Sequence, residues 1–275
     1  MGNSCENSIN RKLRQSKEVL SLIETSIKKG NADIVNFGSN LLSELKKINN
    51  KKELKELIKD NLSQKNIYFI RHAESEHNVL ERQYMKRLIE FDKINVYDPK
   101  LSPDGIKQTN ELKEKIKEKK IHFDSVFISP LSRAMQTYFL IEDAINNDAD
   151  IIVTDFVREV LSMFLDKNKG KELSKLKEEN KNKKLNFEFM TKEYWWFDKG
   201  ENIDSESEDD EEFSLRLKLF LLWITFRPDK NILIISHSHV FIEIQESYGI
   251  YNADMVLLDK KDLFDMIISF FDYDK

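Results

Sequence analysis

Four short apolar runs, Ile67-Tyr68-Phe69-Ile70, Val126-Phe127-Ile128, Ile151-Ile152-Val153 and Ile232-Leu233-Ile234-Ile235, recur between amphipathic stretches from Asn66 onward. Runs this short and apolar at every position suit strands buried on both faces of a parallel sheet. Amphipathic stretches at roughly 104–118, 131–146 and 212–226, with another near 239–248, supply the crossover helices. The alternation predicts an α/β fold: a doubly wound, mostly parallel sheet with helices on both faces. Near the end, Met255-Val256-Leu257-Leu258 and Met266-Ile267-Ile268-Ser269-Phe270 flank Asp259-Lys260-Lys261-Asp262, which predicts a C-terminal antiparallel edge hairpin. Residues 9–62 have a different texture, rich in Lys, Glu, Leu and Ile, with Leu42, Leu45 and Ile48 at helical spacing. They predict two helices, with Gly30 and Gly38 flanking the break between them. The expected organisation is an N-terminal helical appendage over 1–63 and an α/β domain over 64–275 that carries a cap insert at about 166–212.

Charge and cysteine content narrow the function classes. With 44 basic and 49 acidic residues, the formal charge of −5 offers no global attraction to nucleic acid or anionic lipid. An anionic substrate must therefore be drawn in locally. Cys5 is the only cysteine, which excludes an internal disulfide framework and a cysteine-rich zinc site, and it fits a reducing, cytoplasmic setting. No apolar run reaches the length needed to span a bilayer. The opening Met1-Gly2-Asn3-Ser4-Cys5 could carry acyl chains on Gly2 and Cys5, although Glu6 stands where the myristoylation pattern usually has Ser or Thr. Membrane contact is expected only through such acylation, since two chains anchor stably and one does not. Oligomeric state has no signature in the sequence.

In open α/β sheets, ligands bind beyond the carboxyl ends of the strands. Polar residues of catalytic type follow every one of the four runs: Arg71-His72-Ala73-Glu74-Ser75-Glu76-His77-Asn78, then Ser129-Pro130-Leu131-Ser132-Arg133, then Arg158-Glu159, then Ser236-His237-Ser238-His239. Four of the five histidines lie in the first and last of these segments, a placement that random surface imidazoles would not show.

Arg71-His72-Ala73-Glu74 resembles the Arg-His-Gly-Glu signature of the histidine phosphatase superfamily, which includes the phosphoglycerate mutases. Ser129 to Thr137 resembles that family's second-arginine segment, and Ser236-His237-Ser238-His239 its second-histidine segment. The resemblance runs from about Asn66 to Tyr248. Tyr97-Asp98-Pro99-Lys100-Leu101-Ser102-Pro103-Asp104-Gly105, Trp195-Trp196 and Trp223 to Pro228 are similar to the plant and fungal phosphoglycerate-mutase-like branch, usually credited with phosphatase activity. Ala73 replaces the family's glycine, so this turn should not need positive φ. The segment after His237 lacks the Gly-Asn-Ser-Leu-Arg continuation in which true mutases resemble one another.

The resemblance implies a small phosphorylated substrate, no cofactor and no metal. Arg71 and Arg133 would hold phosphate oxygens with planar forks, and Asn78 would add an amide contact. Neutral His72 would attack phosphorus and become phosphohistidine. His237 would stabilise the transferring group as a second donor. Glu159 would protonate the leaving oxygen, with its pKa raised towards roughly 6–7; Glu178, Glu179 and Glu193 are other carboxylates that could reach the site. His77, His122 and His239 read as non-catalytic, and the His237-x-His239 spacing as incidental rather than a metal pair. Lys167, Lys169, Lys171, Lys175 and Lys177 could receive further phosphates or line a solvated loop. The acidic run before Phe213 suits a helix start, and Ser205 and Ser207 are candidate phosphorylation positions. A phosphosugar mutase and a catalytically weak phospholigand-binding protein are the two alternatives.

Overall fold

The computed structural model describes residues 2–29, 34–161, 166–196, 208–245 and 249–272, with backbone alone for 2–9, 34, 35 and 48. In chain order the elements are α1 (Gly2–Lys29), α2 (Ile34–Ile48), α3 (Lys51–Ser63), β1 (Asn66–Arg71), α4 (Glu76–Met85), α5 (Pro103–Lys119), β2 (Ser125–Ile128), α6 (Ser132–Ile141) and β3 (Asp150–Val153). They continue with α7 (Leu173–Glu179), α8 (Asp210–Phe226), β4 (Asn231–Ser236), α9 (Ser238–Gln245), β5 (Met255–Leu257) and α10 (Lys260–Ser269). The Gly2 and Cys5 side chains, Gly30, Ser205 and Ser207 lie outside the described residues.

The five strands form one sheet in the order β3-β2-β4-β1-β5. β1, β2, β3 and β4 run parallel, and only β5 is antiparallel, pairing with β1. The predicted α/β architecture is therefore the observed one, and the four apolar runs are its parallel strands. Their continuous hydrophobicity has a simple cause: successive side chains point to opposite faces, and both faces are covered. Ile232 and Ile234 of β4 enter one core, while Leu233 and Ile235 enter the other, and all four are inaccessible to solvent.

The second core is closed by α5, α6 and the insert, where Trp195 and Trp196 are buried. The first is built around α8, which is apolar on nearly every side. Such a helix must be covered all round, and it is. Phe220 and Trp223 meet Phe127 of the sheet at 5.3 Å between centroids. On its other sides, Val19, Ile23 and Ile27 of α1, Leu41 and Leu45 of α2, and Leu54, Leu57 and Ile58 of α3 join the same buried cluster. Trp223 Nε1 donates to Glu24 Oε1 of α1 at 3.2 Å.

Two expectations are corrected. The N-terminal segment holds three helices, not two: the second break falls at Asn49-Asn50, where the Asn50 side chain accepts from Glu53 N and caps α3. Gly38 lies inside α2, where an added Cβ would come within 3.1 Å of the Leu215 side chain, so it marks a close approach of α2 to α8 rather than a break. Among the described residues the C-terminal region has a single antiparallel edge strand, β5, and no hairpin. Asp259 accepts from Lys261 N and Asp262 N and starts α10, which places Leu263, Ile267, Phe270 and Phe271 on one buried face. The run from Met266 to Phe270 is too short for its period to be told from a strand's by inspection.

No described helix is long and apolar enough to cross a membrane. Leu45→Ala, which opens a cavity beside α8, should cost about 2–5 kcal/mol, and deletion of residues 1–63 should lower the thermal midpoint and raise binding of a hydrophobic dye. A fragment 64–275 that melts like the full chain would show that α1–α3 leave α8 adequately covered when removed.

Candidate active site

The parallel strands end side by side, so the loops that follow them share one edge of the sheet. His72 N donates to Ser236 O at 2.9 Å and Ser129 N to Ile235 O at 3.1 Å, tying the ends of β1, β4 and β2 together. The His72 and His237 rings lie 5.0 Å apart at 60°. Both residues are buried. Arg133, in the first turn of α6, donates from Nε to His72 Nε2 at 3.2 Å. Its other nitrogens bind Lys167 O (2.9 Å) and Asn168 Oδ1 (2.7 Å) of the insert. Arg71 donates from one terminal nitrogen to Ile250 O at 2.7 Å, while its Nε is buried with no partner among the described residues.

A hydrogen bond chooses the His72 tautomer. His72 Nδ1 lies 2.7 Å from Ala73 O, which can only accept. The proton therefore sits on Nδ1, and Nε2 carries the free lone pair. Ser129 Oγ accepts from Leu131 N at 3.4 Å and has its own proton to give His237 Nε2, 2.7 Å away. Where Ser129 gives that proton, His237 Nδ1, which is buried and has no partner among the described residues, carries the ring N–H; where His237 Nε2 gives its proton to Ser129 instead, Nδ1 is an acceptor. Burial first, and then the Arg133 guanidinium, holds both imidazoles well below their ordinary pKa, so both are neutral at physiological pH.

The loop after β1 is pinned by the segment before α5. Ser102 N donates to Glu74 O at 2.9 Å and Glu76 N to Lys100 O at 2.9 Å. Gly105 lies so close that a Cβ there would sit 2.0 Å from Glu74 O. Asp98, held at φ 38°, accepts from Ser132 N (2.8 Å) and Ser132 Oγ (2.6 Å) and so anchors the start of α6, which bears Arg133. Ala73 is not among the residues with positive φ, as its identity implied. The Asn78 carbonyl closes the α4 capping box with Ser75 N and Oγ, both at 3.0 Å. That bond gives Asn78 a structural task that the sequence reading did not assign to it.

Glu159 follows a single 3₁₀ turn, Asp155–Val157, after β3. The turn is fixed by a buried Arg158–Glu208–Arg216 network. Glu208 accepts from Arg158 at 2.8 Å and from two Arg216 nitrogens at 2.7 Å, and Arg216 also donates to Phe156 O (2.7 Å) and Arg158 O (3.1 Å). Glu159 Oε1 accepts from Val160 N at 3.0 Å, and Oε2 lies 3.2 Å from His239 Nδ1. Burial works to raise the Glu159 pKa, but the His239 hydrogen bond and charge, with Arg133, outweigh it and hold the group below its ordinary value. This reverses the direction expected from the sequence: the contact with His239 makes Glu159 a carboxylate. Glu178, Glu179 and Glu193 are instead bound to Lys181, Lys171 and Ser174 at the surface of the insert.

Sequence reasoning missed the contacts of three residues. His239 is one, because its partner is a loop 80 positions away. Lys167 is another: Lys169, Lys171 and Lys175 pair with Asp166, Glu179 and Glu172, whereas Lys167 donates to His77 Nε2 at 2.8 Å and lies 3.9 Å from Glu81 Oε1. His77 gives its Nδ1 proton to Ile94 O (3.0 Å) and is held down to about 4 by burial and by Lys167. The third is Asn252, which donates to His72 O at 2.9 Å. His122 lies at the surface, 3.2 Å from Asp148.

Two guanidinium groups, an ammonium and two buried imidazoles thus gather at the carboxyl edge of a parallel sheet, a set of groups able to bind an anion. The chain belongs to the histidine phosphatase superfamily (branch 1), whose family model matches residues 67–244. Similar solved structures include the α-ribazole phosphatase of Shigella flexneri, at 19% identity over 70% of this chain and 90% of that one, with a TM-score of 0.45. They also include the ecdysone phosphate phosphatase of the silkworm Bombyx mori (13% identity, 71% and 92% covered, TM-score 0.49) and a mycobacterial glucosyl-3-phosphoglycerate phosphatase (13%, 71% and 90%, 0.43). No curated protein sequence matches the chain.

Two outcomes follow from these contacts. Glu208→Ala leaves two buried guanidinium groups without their shared carboxylate and should cost about 3–5 kcal/mol, read from the denaturation midpoint. Depressed histidines also make the fold acid-sensitive. Unfolded His77 takes its proton near pH 6.5, folded His77 only near 4. The unfolded chain therefore binds more protons between those values, and stability should fall as pH drops through that window. His77→Gln should flatten that slope in pH-dependent melting curves.

Proposed function

We propose that the chain is a phosphomonoester hydrolase that works through a covalent phosphohistidine on His72. The observation that carries this reading is the pairing of a neutral His72, protonated on Nδ1, with His237 at 5.0 Å and Arg133 at 3.2 Å in one buried site. His72 Nε2 has a lone pair aimed where two positive groups can receive the oxygens of a phosphoryl group. Arg133 Nε donates to that same lone pair, so an incoming phosphoryl oxygen must take over this donor as Nε2 turns to phosphorus. The unpartnered Arg71 Nε and His237 Nδ1 would bind the other oxygens, and the Asn78 amide nitrogen would add a contact. Glu159 would serve the leaving oxygen and then activate water for the second step.

Hydrolysis is favoured over mutase chemistry by the Ser238-His239-Val240-Phe241 continuation after His237, which differs from that of the mutases. Kinship with the plant and fungal branch is part of this proposal. So is residence in the cytoplasm, with peripheral anchoring only if Gly2 or Cys5 is acylated.

The test is a panel of sugar phosphates, nucleotides, inositol phosphates and phosphopeptides, assayed for phosphate release and, separately, for phosphoryl transfer between isomers. Wild type should release phosphate, and His72→Ala should lose at least about a thousandfold in kcat. An acid-labile, alkali-stable phosphoenzyme should be trapped with wild type and not with His72→Ala. Transfer without release would favour the mutase, and undiminished turnover by His72→Ala would overturn the nucleophile.

A further inference from the structure

The reading above leaves one conflict in the site. Glu159 is asked to deliver a proton, yet it is buried and held as a carboxylate by a neighbour. That neighbour resolves the conflict. His239 Nδ1 lies 3.2 Å from Glu159 Oε2, and the two side chains differ sharply in access: 61% of the His239 side chain is exposed, against 9% of Glu159. The other carboxylate oxygen is occupied by Val160 N at 3.0 Å, and the Arg158–Glu208–Arg216 network fixes the loop behind it. A buried carboxylate thus touches an imidazole that reaches bulk water on its far side.

We propose that His239 stores the proton which Glu159 passes to the leaving oxygen, and recovers it from the attacking water. The inference rests on the hydrolase reading. In the first half-reaction the His72 Nε2–P bond forms and the P–O bond to the alcohol breaks. The departing oxygen takes the proton shared between His239 Nδ1 and Glu159 Oε2. His239 ends neutral, Glu159 stays a carboxylate, and His72 bears the phosphoryl group. In the second half-reaction water loses a proton to the same pair as its oxygen bonds to phosphorus and the N–P bond breaks, which restores protonated His239 and releases phosphate. Charge and protons balance across the cycle with no further reactant.

The surroundings of His239 fit a stored proton. Glu159, from the segment after β3, favours the charged ring, while Lys167 of the insert and Arg71 at the end of β1 oppose it. The Glu159 hydrogen bond prevails and raises His239 above its ordinary value. His239 acts through Glu159, so it is a positioning and proton-supplying residue whose effect must scale with how badly the leaving group needs a proton.

The experiment compares wild type, His239→Gln, Glu159→Gln and the double variant on an alkyl phosphate and on p-nitrophenyl phosphate from pH 4 to 9. Wild-type kcat/KM on the alkyl ester should decline as pH rises through the raised His239 pKa. In His239→Gln the proton must sit on the carboxyl itself, so this alkaline limb should move at least about one unit towards acid. At pH 7 the ratio of alkyl to nitrophenyl turnover should fall by about tenfold or more, because a poor leaving group depends on the acid and a good one does not. Adding His239→Gln to Glu159→Gln should bring little further loss. Equal losses on both esters with an unmoved limb overturn the inference and leave the hydrolase reading intact. No phosphate release by wild type on either ester overturns both. Matching melting curves for His239→Gln and wild type exclude a folding defect as the cause of any loss.

Discussion

Arg133 and Arg71 stand beside two buried imidazoles, and the rest of the site depends on the charge this concentrates. In water the guanidinium groups would act weakly on their neighbours; in a low-dielectric pocket the same charges act strongly. Burial first, and then these guanidinium groups, keeps His72 and His237 neutral, which leaves a lone pair on the proposed nucleophile. The scheme therefore needs no proton to be removed from His72 before attack. Burial and neighbouring charge do at rest what a separate general base would otherwise have to do during the reaction.

Such a cluster of like charges has to be held together, and the fold does this with backbone and side-chain contacts. Strand-end hydrogen bonds place His72, Ser129 and Ser236 in one row. Asp98 secures the start of the helix that bears Arg133, and Lys167 O and Asn168 secure the guanidinium itself. The insert is thus part of the wall of the site. The Arg158–Glu208–Arg216 network plays the same role for Glu159. It joins the start of α8 to the turn after β3, and α8 is covered in turn by α1, α2 and α3. The N-terminal helices and the turn that bears the proposed acid thus both rest on α8.

The elements whose pattern is local were legible in the sequence. Four apolar runs gave the parallel strands because a strand buried on both faces needs no partner to declare itself, and the same reading located His72, Arg133, Glu159 and His237 at adjoining strand ends. Where two periods fit a short run, the reading failed: Met266 to Phe270 looked like a strand and is the end of a helix, because Asp259 caps it. Gly38 looked like a break and is a contact with Leu215.

The sequence by itself determined the sheet, the order of its strands along the chain and the four strand ends that carry the histidines and arginines, since each follows from residues a few positions apart. Only the tertiary structure decided which neighbour each charged group meets. The contacts of Lys167 with His77, of His239 with Glu159 and of Arg158 and Arg216 with Glu208 span 90, 80, 50 and 8 positions. The protonation of a buried group is set by those contacts: burial alone would raise the Glu159 pKa, and the imidazole beside it reverses the sign.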